Sequence, residues 1–289
     1  SIFFRRIFER KKMFRKIFVI VLLIMTVWLT GVSQPLTVMT YNLRYDNPGD
    51  GANAWSNRRE RVISQILTVK PDLLGTQEGL LSQLETLDSA LIDYQYIGKG
   101  RDDGKTKGEY CAIFFNSSRM RLIKEGTFWL SDTPEKVSMG WDAACRRVCT
   151  YGLFEIRNTG RKCWIFNTHF DHIGSLARKQ SAVLILQKME ELNKEGYPVI
   201  LTGDFNSPPQ SEPINIITSR LVDSKTADKS FSMAPEGTFN NFDTSVPASE
   251  RIDYIFTGKG FSPKSYAILR ESHDGRYPSD HFPVIAVIR

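Results

Sequence analysis

Residues 198–206 read Pro-Val-Ile-Leu-Thr-Gly-Asp-Phe-Asn. Val199, Ile200 and Leu201 form an unbroken apolar run, the pattern of a strand buried on both faces. Asp204 and Asn206 follow at once, so the strand ends in polar groups. The same pattern recurs along the chain. LTVMTYNL (36–43) brings a strand to Asn42, DLLGTQE (72–78) brings another to Glu78, and the strand Cys163–His169 runs into NTHFDH with His169 and Asp171. Asp253 lies inside RIDYIFT (251–257), and Ser279-Asp280-His281 precedes a last strand over Phe282–Arg289.

Helical spacing at Val62, Ile63, Ile66 and Leu67 predicts a helix over Asn57–Lys70, stopped by Pro71. A second amphipathic helix is expected over 79–91, and a long one over Ser175–Asn193, ended by Gly196. Further strands are expected over Tyr94–Gly98, Tyr110–Asn116, Leu122–Leu130, Val148–Arg157 and Lys264–Arg270, with a hairpin turn at Asn158-Thr159-Gly160. Segment 223–250 reads as loop. Many strands with a few interspersed helices imply two sheets packed face to face and covered by helices, an α/β (α+β) arrangement. No repeat or low-complexity linker interrupts residues 34–289, which read as one domain.

Composition excludes several classes. The 289 residues are 41% hydrophobic and 24% charged, ordinary globular values that rule out collagen, coiled coil and wholesale disorder. The net charge of +6 resides entirely in residues 1–33, where seven basic residues face Glu9 alone. The remaining chain carries 31 basic and 31 acidic side chains, so the charge gives no argument for nucleic-acid binding by the body. Ile17–Thr30 is uncharged and fourteen residues long, short of the roughly 17–25 that span a bilayer. With the basic stretch before it and Gly31-Val32-Ser33 after it, the segment reads as a cleaved secretory signal starting at Met13. The mature protein is then expected in the periplasm or outside the cell, without stable membrane insertion; a retained anchor is the alternative. Of the four cysteines, Cys111 and Cys163 sit in apolar strands and read as small buried hydrophobes. The isolated C-x3-C of Cys145 and Cys149 does not suit zinc, and no disulfide is expected.

Each strand-end polar residue has an ordinary explanation taken alone: Asn42 a turn cap, Glu78 a surface acid, Asp204 an Asx turn. Together they are carboxylates, amides and imidazoles terminating separate buried strands, which is how a site is assembled on a rigid sheet edge. Glu, Asp and Asn oxygens are hard ligands, suited to magnesium, manganese or calcium. Such ions also bind phosphate oxygens, so hydrolysis at phosphorus is the expected reaction, with histidines supplying protonation near neutral pH. Neither a G-x-x-x-x-G-K-[ST] loop nor a G-x-S-x-G elbow is present.

In their order, MTYNLR, GTQE, NTHFDH, GDFNS, RIDYIF and SDHFPV resemble the endonuclease/exonuclease/phosphatase superfamily. The resemblance spans 38–285. It implies a four-layer sandwich of two mainly antiparallel sheets with helices outside, and a phosphoesterase dependent on Mg2+ or Mn2+. By the same resemblance Asn42 and Glu78 form the metal site, with Asp280 near it. His169 contacts the scissile phosphate, Asp204 aligns or deprotonates the attacking water, and Asn206 stands beside it. His281 binds a phosphoryl oxygen and is oriented by Asp253, since a carboxylate behind an imidazole fixes its tautomer.

On the substrate side, GWDAACRR (140–147) resembles the segment in which some relatives place a phosphate-binding arginine, which implies that Arg147 clamps a phosphate oxygen, with a strand-edge arginine in solvent as the alternative. Tyr110 and Asp171 are further substrate-binding candidates. Arg101 reads as part of a mobile loop, and Trp55 and Trp129 as packing residues. GTFN (237–240) resembles a phosphatase-side loop, with nothing independent to support Thr238 or Phe239. The expected partner is a small or headgroup-type phosphate ester, acted on by a monomer. The rival readings are a secreted nuclease acting on DNA or RNA, and a non-catalytic binding module.

Overall fold

In the computed structural model, which describes residues 34–227 and 236–289, Val199–Asp204 is a strand with neighbours on both sides. The leader and the middle of the 223–250 loop lie outside the described residues. In chain order the elements are β1 (Leu36–Asn42), α1 (Trp55–Val69), β2 (Leu73–Gln77), α2 (Leu81–Ala90), β3 (Tyr94–Ile97), β4 (Ile113–Asn116), β5 (Met120–Trp129) and β6 (Val148–Ile156). They continue as β7 (Lys162–His169), α3 (Ser175–Leu192), β8 (Val199–Asp204), α4 (Glu212–Thr218), β9 (Val222–Asp223), β10 (Asp253–Thr257), β11 (Pro263–Ile268) and β12 (Val284–Ile288). Among the described residues no helix is long and apolar enough to cross a membrane.

The strands make two six-stranded sheets, ordered β11-β12-β1-β2-β4-β3 and β5-β6-β7-β8-β10-β9. Only β1/β2 and β7/β8 are parallel; every other pair is antiparallel. Alternation along the strands explains the layering. Leu36 and Val38 of β1 join Ile165, Ile200 and Ile255 in the core between the sheets. Met39 and Tyr41, one residue out of phase, join Val62, Ile66, Leu84 and Leu87 of α1 and α2 on the outer face. On the far side Trp164, Phe166, Leu201 and Phe256 pack against Ala182 and Ile185 of α3 and Ile214 and Ile217 of α4. The result is helix, sheet, sheet, helix, the four-layer sandwich expected.

The core between the sheets changes character along its length. At one end it is apolar, with Phe115 and Phe154 among aliphatic side chains. At the other, Gln77 Nε2 donates to Thr40 Oγ1 (3.0 Å) and Asn167 Oδ1 (2.7 Å), while Asn167 Nδ2 donates to the carbonyls of Thr76 and Ala112, both at 2.8 Å. Thr202 Oγ1 completes the set at 3.1 Å from Asn167 Oδ1. These fully buried groups bond one another, as burial demands, and only Gln77 Oε1 among their side-chain atoms has no partner within the described residues. They lie beside the strand ends that carry the site.

Candidate active site

Register brings the polar residues together. β7 and β8 run parallel and finish level, His169 opposite Asp204, and antiparallel β10 begins with Asp253 opposite the same Asp204. In the other sheet β1 and β2 finish level at Asn42 and Gln77, with Glu78 next. Antiparallel β12 starts beside that end, preceded by Asp280 and His281. Asn42 joins the two sheets: its Nδ2 donates to Glu78 Oε1 and to Asp204 Oδ2, both at 3.0 Å. Glu78 and Asn206 hold left-handed backbone, with φ of 62° and 46°. That conformation is uncommon for either side chain and turns each abruptly off its strand.

Asp204 sits at the centre. Its Oδ2 lies 3.4 Å from His169 Nε2 and 3.7 Å from His281 Nε2, and its Oδ1 accepts from Asn206 N at 2.9 Å. Asn206 Nδ2 lies 3.1 Å from His169 Nε2. Behind His281, Nδ1 meets Asp253 Oδ2 at 2.8 Å. Burial, with Asp253 alongside, pushes the Asp204 carboxyl up to about 7. Burial alone would lower His281, but Asp253 and Asp204 hold it well above the usual histidine range. His169 is pushed well below that range by burial and by the guanidinium groups of Arg147 and Arg101. The site therefore holds a charged imidazole and a neutral one on either side of one carboxylate, an arrangement suited to acid–base work near neutral pH.

The carboxylates also suit a hard cation. Burial, with Glu78 nearby, raises the Asp280 carboxyl, and the nearest cation is Arg44, whose Nη1 is 3.8 Å from Asp280 Oδ2. Glu78, His169 and Asp204 present ligand atoms within 4.8 Å of one another. Carboxylates gathered this closely, with His281, Arg44 and Arg58 the cations acting on Asp280, fit a divalent ion bound through oxygen.

The substrate-side candidates divide. Arg147 is 5% exposed and lines a small cavity together with Arg101, Glu109, Tyr110, Cys111 and His169. Tyr110 bridges to Gly79 through its backbone and donates its hydroxyl to Lys105 O at 2.9 Å. Asp171 lies apart from the central group. Its Oδ1 accepts from Ile173 N and Gly174 N, and its Oδ2 from Ala144 N and, at 3.4 Å, Cys145 N, so it ties two loops together. Arg101, expected in a mobile loop, is clamped: Nη1 and Nη2 each bond Glu109 at 2.7 Å, and its carbonyl accepts from Trp129 Nε1.

Three residues gain a role that sequence reasoning did not assign. Thr238 Oγ1 accepts from Ile252 N and Asp253 N, which fixes the start of β10. Phe239 packs on His281, ring centroids 5.0 Å apart. Arg58 of α1 donates to the carbonyls of Leu43, Arg44 and Pro278, tying the end of β1 to the approach to β12. GTFN was the available signal for the first two. Arg58 left none beyond a basic residue in an amphipathic helix.

The model of the endonuclease/exonuclease/phosphatase family matches residues 39–281. The chain belongs to that family. A solved structure of a mannosyl-6-phosphatase from Bacteroides thetaiotaomicron is 41% identical, with a TM-score of 0.82 over 88% of this chain and 99% of that one. Nocturnin of Rattus norvegicus is 26% identical over 279 residues, 86% of this chain and 63% of its own length. The exoribonuclease subunit Ccr4 of the CCR4-Not complex of Mycosarcoma maydis is 21% identical over 246 residues, 66% of this chain and 37% of its own. This chain spans about three-fifths of the length of the first curated relatives it matches.

Proposed function

We propose that the protein is an exported phosphoesterase, dependent on magnesium or manganese, that hydrolyses a small phosphate ester by attack of water. The observation that carries the reading is Asp204, a buried carboxyl whose Oδ2 lies within 4 Å of both His169 and His281 and is bonded to the amide that reaches Glu78. Asp204 takes the proton of the attacking water. His281, kept charged by Asp253, faces the negative charge that grows on the phosphoryl oxygens. Neutral His169 and the Asn206 amide hold the phosphate from the other side. Asn42, Glu78 and Asp280 would hold the ion, which would neutralise phosphate charge and orient the ester. Export is supported by the basic, apolar and small-residue sequence of 1–33.

A small substrate is favoured by the likeness to a mannosyl-6-phosphatase and by the zero net charge of residues 34–289. The likeness to an exoribonuclease subunit, at 21% identity, favours the nuclease alternative less strongly. Phosphate release from a hexose 6-phosphate, assayed beside plasmid and RNA digestion, separates the two. The expected result is rapid phosphate release that changes little between about 50 and 200 mM salt, the range over which binders of polyphosphate lose much affinity. Efficient polymer cleavage with a steep salt dependence would transfer the assignment to a nuclease.

A further inference from the structure

The cavity beside His169 is lined by two guanidinium groups from separate loops. Both carboxylate oxygens of Glu109 bond Arg101, so that acid reaches Arg147 through its charge and not through a hydrogen bond. Arg147 Nη2 meets His172 Nδ1 at 3.1 Å, and its Nε lies 3.6 Å from Asp171 Oδ2, an oxygen already engaged by backbone N–H groups. Arg147 Nε and Nη1, Arg101 Nε and His169 Nδ1 are buried and have no hydrogen-bond partner among the described residues. Buried N–H donors left without acceptors are costly, and a set of them lining one cavity beside two guanidinium groups calls for an anion.

The space is small. Between Tyr110, Cys111 and Val148 it admits a group about the size of one water molecule. A bare phosphoryl oxygen fits there, whereas a carbon substituent on that oxygen does not. A terminal phosphate near neutral pH has three unsubstituted oxygens and close to two negative charges; a diester has two such oxygens and one charge.

Resting on the phosphoesterase reading above, we propose that Arg101 and Arg147 form an oxyanion seat for the third oxygen of a terminal phosphate, making the enzyme selective for phosphomonoesters over diesters. Arg101 is the part of the seat that sequence reading missed, and Glu109 fixes its fork in place.

The test compares p-nitrophenyl phosphate with bis-p-nitrophenyl phosphate as substrates of the full chain with magnesium or manganese. The wild type should prefer the monoester. The double variant Arg101→Met/Glu109→Gln removes the ion pair while keeping its volume, so the fold is retained, which a melting curve checks. Its kcat/KM for the monoester should fall about 10- to 100-fold, the scale for a charge-assisted bond. The diester should lose much less, so the ratio between substrates collapses. Arg101→Lys, which keeps the charge and loses the fork, should fall between. A wild type without monoester preference, or equal losses on both esters, would overturn the proposal. Calorimetric titration with inorganic phosphate reads the seat without turnover. If the wild type hydrolysed neither ester, the phosphoesterase reading would fail. In that case weaker phosphate binding by the double variant would still support the seat, and equal binding would remove it.

Discussion

Asp253 Oδ2 lies 2.8 Å from His281 Nδ1, and the other nitrogen of the same ring faces Asp204 Oδ2 at 3.7 Å. One carboxylate thus orients the imidazole and a second shares its proton field. Thr238, donated to by the amides at the start of β10, holds the first carboxylate in register.

From this relay, Asp204→Asn and His281→Ala should each lower turnover by roughly 100-fold or more, the scale of acid–base and charge-stabilising groups. Asp253→Asn should cost about 10- to 100-fold, the range for a group that acts by orienting another. All three should keep the wild-type circular dichroism spectrum. Near-normal turnover in Asp204→Asn or His281→Ala would remove the assigned role.

Asp171 should report on stability rather than chemistry. Backbone N–H groups of Gly174, Ala144 and Ile173 outweigh burial and hold its carboxyl down to about 2. A folded value below the unfolded one, about 3.9, stabilises the protein above that pH, and the gain is lost as pH falls toward 2. Asp171→Asn should therefore cost about 2 kcal/mol at pH 7 and progressively less below about pH 4. Urea melts across that range check the convergence. A constant difference at every pH would contradict it.

Gly75 tests the polar layer between the sheets. A Cβ at this position would lie 2.4 Å from Thr202 Oγ1 and 2.5 Å from Asn167 Oδ1. Both atoms are locked in the network with Gln77, so Gly75→Ala should destabilise by about 1–3 kcal/mol, the cost of overpacking a core. Thermal melts should show the loss, and an unchanged melting temperature would mean that the layer yields more readily than its hydrogen bonds imply.

Much of the site was legible because its residues sit at the ends of strands that each read clearly as apolar runs. Asn42, Glu78, His169, Asp204 and His281 needed only the sheet to bring them level. The helix Glu212–Thr218 was not legible: seven residues give too few turns for a periodic pattern, and Pro213 reads as a breaker although it sits at the helix start. Arg101 was missed for a different reason. A charged residue in a turn-rich stretch reads as solvent-exposed, and only its pairing with Glu109 and the bond from Trp129 Nε1 to its carbonyl reveal a fixed position. Thr238 and Arg58 act on residues 14 to 220 positions away, contacts that no local pattern encodes.

The central claim is that the strand-end cluster hydrolyses phosphate esters with a divalent ion held at Glu78. Phosphate release from a hexose 6-phosphate, measured in excess EDTA and again after adding magnesium or manganese, tests it most directly, with Glu78→Gln run in parallel. The account predicts no turnover in chelator, recovery with either metal, and a variant that needs more metal and stays slow at saturation. Full activity in the chelated wild type would contradict it.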